Sequence, residues 1–170
     1  MRILMILTSG SGKGRRRFAT LDQVIEACCL LQDCGTEVVI ASSQGGNPPI
    51  QGTRGRSAQA APSNQRLQGD RRARDALSDT LRLEQIYPEE FDGAICIGAL
   101  EHPAHLADKE GVQALLRALL TAGKPVAIVP SEFEFAPQGS FEGLLIAGSE
   151  IRAPSLAAKA VLAALEQQDD

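Results

Sequence analysis

Four short apolar runs punctuate the chain: residues 2–8 (RILMILT), 37–42 (EVVIAS), 92–97 (DGAICI) and 125–129 (PVAIV), mostly followed by Gly, Ser or Pro. Runs of this kind, without polar alternation, predict strands buried on both faces of a parallel sheet. Between them the apolar period lengthens. Leu21, Val24, Ile25, Cys28 and Leu31 form one stripe, and Val112, Leu115, Leu116 and Leu119 form another, each on a single helix face. Asp108 is the expected N-cap of the second helix and Gly123 its closing residue. A third helix is predicted over about residues 155–167, after Pro154, with Ala158, Val161, Leu162 and Leu165 inward. Strands alternating with helices predict an α/β fold, a parallel sheet with helices on both faces, in one domain spanning residues 1–170. A long polar insertion at residues 44–69 interrupts the order. After residue 129 the order breaks again. Glu132, Phe133, Glu134 and Phe135 alternate with the period of a strand, APQG is a turn signal, and SFEGLLIAG is strand-like, so a β-hairpin or extended excursion is expected near residues 130–147.

Composition narrows the class. The chain has 170 residues, 44% of them hydrophobic and 22% charged, which fits one soluble domain, and it lacks an apolar run long enough to cross a bilayer as a helix. The opening MRILMILTSG is too short in its apolar part for a secretory leader and is taken as the first strand. Cys28, Cys29, Cys34 and Cys96 form neither a CxxC pair nor a zinc pattern, so a reducing cytoplasm is the expected compartment. Cys28 and Cys96 are expected as small buried hydrophobes. Charge is unevenly shared: residues 1–74 hold 11 Lys and Arg against 5 Asp and Glu, and residues 75–170 hold 6 against 16. Arg15, Arg16 and Arg17 cluster, as do Arg54, Arg56, Arg66, Arg71, Arg72 and Arg74. Phe18 is the only aromatic in that half, so base stacking has almost nothing to use and nucleic acid is not an expected partner.

The stretches TLDQVIEACCLLQDCGTEVVIASSQGGNPPI, LRLEQIYPEEFDGAICIGALEHPAHLAD, GVQALLRALLTAGKPVAIV and GLLIAGSEIRAPSLAAKAVLAAL resemble the ThiJ/PfpI superfamily of the class I glutamine amidotransferase-like fold, nearest its heat-shock chaperone and glyoxalase branch. The resemblance implies a flavodoxin-like sheet, a homodimer or other protein partner, and a site at the carboxyl ends of the strands. It also implies chemistry on small aldehydes, glycated groups or amides. In that site the family carries a cysteine on a sharp strand-to-helix turn, a glutamate from the start of the first helix and often a histidine after the cysteine. This chain has Pro130 at the cysteine position, Ser131 at the following one and Thr20 at the glutamate position. Gly98 matches the glycine turn after the third run, while Ala99 replaces its usual glycine neighbour. The scaffold pattern persists and the catalytic one is missing.

The residues themselves point the same way. Ser131 makes a poor replacement nucleophile, because Pro130 fixes φ near −65° and lacks an N–H, while Glu132 and Phe133 crowd the place where small neighbours are needed. Thr20-Leu21-Asp22-Gln23 fits a helix capping box. TSGSGKGRRR fails the Walker and dinucleotide spacings, yet Ser11, Gly12, Lys13 and Arg15 ahead of a helix are candidates to hold an anion. Glu101-His102-Pro103-Ala104-His105 holds both histidines of the chain, but Pro103 opposes a regular helix that would converge them on a metal, so no metal and no cofactor are expected. The leading expectation is a catalytically degenerate ThiJ/PfpI-like protein that binds a small ligand, a protein partner or a second copy. Its candidate pocket residues are Thr20, Gly98, Ala99, Ser131 and His102, and no catalytic residue is expected. Two alternatives stand beside it: a glyoxalase-like or amide-processing enzyme with a non-standard site built from Ser131, His102, Glu132 or Cys96, and an anion-binding flavodoxin-like module.

Overall fold

A computed structural model of the chain describes residues 1–9, 21–46, 75, 77–100, 106–129, 142–148 and 153–168. The apolar runs become strands where expected: β1 (Arg2–Ser9), β2 (Glu37–Ser42), β4 (Gly93–Leu100) and β5 (Val126–Val129). Two further strands are shorter, β3 (Leu81–Arg82) and β6 (Leu145–Ala147). The helices are α1 (Leu21–Asp33), α2 (Leu106–Thr121) and α3 (Ala153–Glu166). Among the described residues six strands run parallel in the order β3-β2-β1-β4-β5-β6.

Burial on both faces explains why the central strands read as continuous apolar runs. Ile3, Leu4, Met5, Ile6 and Leu7 are all fully buried, and alternate side chains enter different cores. On one face Ile3, Met5, Leu7, Ile95 and Ile97 pack with Val24, Cys28 and Leu31 of α1 and Ala158, Val161, Leu162 and Leu165 of α3. On the other, Leu4, Ile6, Ala94, Cys96 and Ile128 pack with Val112, Leu115, Leu116 and Leu119 of α2, and with Phe91. The three layers follow from these stripes.

Boundaries shift in three places. Asp108 was expected to cap α2, but the helix starts at Leu106, so Asp108 lies inside the first turn; acidic residues favour both positions, and the sequence alone does not separate them. Pro154 lies within the first turn of α3 rather than before it, where its missing N–H sacrifices no intrahelical bond. β4 runs three residues beyond the expected residue 97. Gly123 does close α2: its φ is 78°, its amide donates to Leu120 O at 3.1 Å, and the Lys124 amide donates to Leu119 O at 3.0 Å. Of the excursion expected near residues 130–147, the first arm lies outside the described residues. The second arm contains β6, whose partner is β5, in parallel register Val126 to Leu145. Most of the polar insertion, residues 47–69, also lies outside the described residues.

Candidate functional site

Strand order reverses between β1 and β4. The chain leaves β1 toward β2 by way of α1 on one face, and leaves β4 toward β5 by way of α2 on the other. In open α/β sheets ligands bind in the crevice at the carboxyl ends of the two strands that flank such a reversal. Here those strand ends are Thr8 and Ser9 of β1 and Gly98, Ala99 and Leu100 of β4. Thr8 pairs with Gly98 and Ser9 with Leu100, so Ala99 is an extra residue in β4. A bulge of this kind turns the strand and re-aims the residues around it.

Within β4 lies Cys96, fully buried on the α2 face. Burial pushes its thiol up to about 12, and a hydrogen bond with the Thr8 side chain lowers it only in part. At neutral pH it is therefore a buried, protonated thiol, the less nucleophilic form. Thr8 escaped the sequence reading. The signal was faint: a hydroxyl two residues after Ile6 faces the same way as Ile6, but its contact with Cys96 depends on the register between strands 88 residues apart in sequence.

The neighbouring carboxyl end, at β2, is committed to structure. In the stretch ASSQGG, the buried Ser42 Oγ accepts from the Gly45 amide at 3.1 Å, and the Gly46 amide donates to Thr80 O at 2.8 Å. Gly45 and Gly46 have φ of 66° and 64°. A Cβ on Gly45 would lie 2.8 Å from the Arg82 side chain, so this position needs glycine for its conformation and for the close approach of β3. The motif that carried the resemblance therefore has a local cause: it docks β3 beside β2.

Of the residues singled out from sequence, the structure places Gly98 and Ala99 at the carboxyl end of β4, Gly98 paired with Thr8 of β1. Pro130, the residue after the end of β5 at Val129, lies outside the described residues, as do Thr20, Ser131, Glu132, Glu101, His102, His105, Ser11, Gly12, Lys13 and Arg15. Cys28 is buried as expected, and Cys34 is exposed. Among the described residues, no group of three or more His, Cys, Asp and Glu side chains is arranged to hold a metal ion. No described helix is long and apolar enough to cross a membrane.

Compared with models of protein families and with curated protein sequences, the chain matches none. Its fold, however, matches solved structures over nearly its whole length. The Rapid Encystment Protein 24 kDa of Francisella tularensis superposes with a TM-score of 0.65 at 14% identity, covering 96% of this chain and 98% of that one. Glyoxalase III from Candida albicans gives 0.62 at 12% identity, covering 96% of each chain. A ThiJ/PfpI domain protein from Brachyspira murdochii gives 0.62 at 13% identity, covering 98% of this chain and 96% of that one. At the level of fold, the resemblance read from the sequence is borne out.

Proposed function

From a ThiJ/PfpI-type fold as the premise, we propose that this chain acts by binding a small polar ligand in the crevice between β1 and β4, and that it carries out no cysteine chemistry there. The observation that carries this reading is the residue after β5. The strand ends at Val129, and the next position, where the resemblance implies a reactive thiol, is Pro130. Proline cannot take up the strained backbone of a nucleophile turn and has no side-chain group to react. The cysteine nearest the crevice, Cys96, is buried with its thiol protonated. What remains at the strand ends is a set of polar groups suited to recognition: the Thr8 side chain and the bulged backbone around Ala99. Association of two copies, which the resemblance implies, belongs to the same proposal.

Two measurements test it. Methylglyoxal consumption by the purified protein is expected to equal the buffer rate and to be unchanged in Ser131→Ala. A screen of small carbonyl and carboxylate compounds by thermal shift is expected to find stabilisers whose effect shrinks in Thr8→Val. Turnover abolished by Ser131→Ala or Cys96→Ala would overturn the proposal in favour of an enzyme with a non-standard site.

A further inference from the structure

We draw no further inference here: the strongest candidate, the exposed apolar patch of Leu144 and Leu145 where the chain enters β6 at the edge of the described sheet, carries nothing because nothing in the structure shows what covers it.

Discussion

Replacing Gly143 by alanine is expected to be among the most damaging single-methyl additions in the described structure. A Cβ there would collide with the carbonyl oxygen of Lys124, and would sit 2.9 Å from Leu120 O and 3.0 Å from Lys124 N. All three are backbone atoms of the terminus of α2, which the positive φ of Gly123 and its two closing hydrogen bonds hold in place. The Gly143 amide also donates to Leu120 O at 3.0 Å, so backing away from the clash gives up that bond. Overpacking against fixed atoms costs about 1–3 kcal/mol, and a lost hydrogen bond about 0.5–1.5 kcal/mol. The combined loss is about 2–4 kcal/mol, a large share of the roughly 5–15 kcal/mol that holds a domain folded. For a chain of this length that corresponds to a melting temperature lower by roughly 5–15 °C. With no tryptophan and one tyrosine, the measurement is urea unfolding followed by far-ultraviolet circular dichroism. Gly111→Ala is the matched control. Gly111 lies exposed inside α2 with nothing within 4 Å of an added Cβ, and alanine there is expected to stabilise by about 0.5–1 kcal/mol. If Gly143→Ala unfolds within about 0.5 kcal/mol of the parent, residues 142–148 do not pack on the end of α2 as described.

Two further expectations follow from buried and paired groups. The Cys96 thiol is raised from 9.0 to about 12 in the folded state, so unfolding releases its proton once the pH exceeds 9; its contribution is intact below pH 9 and is lost between pH 9 and 12, at up to about 1.4 kcal/mol per pH unit. Urea midpoints at pH 8 and 10.5 are therefore expected to differ more in the parent than in Cys96→Ala, and equal differences would refute the assignment. Arg2→Met removes partners from Glu37 and Glu90 and a guanidinium 5.1 Å from the centre of the Phe91 ring. The pairs are half-exposed, so the expected loss is only about 1–2 kcal/mol, and the ion-pair share is expected to vanish in 1 M salt.

Four strands and three helices were legible because their signals are local and repeated. A strand buried on both faces, such as β1, is apolar at nearly every position, and the inward positions of α3 recur at helical spacing. β3 was not legible, since Leu81-Arg82 has too few residues to show a period and is held by a β2 whose following turn clears space for it. The two 3-10 turns, Leu83–Gln85 and Pro88–Glu90, are single turns, also too short for a pattern. The candidate crevice was legible in part. Gly98 and Ala99 lie at the end of an unmistakable strand, but the contact of Thr8 with Cys96 depends on inter-strand register.

The place of β1 in the sheet bears on biosynthesis. It leaves the ribosome before every other described element, yet it occupies the middle of the sheet, between β2 and a β4 that ends only at Leu100. Until those later residues emerge, a segment apolar from Ile3 to Leu7 has at least one bonding edge open and one flank uncovered, a state prone to pairing with other nascent chains. Yield from a cell is thus expected to depend on holding factors that shelter this segment, even where the finished protein is robust.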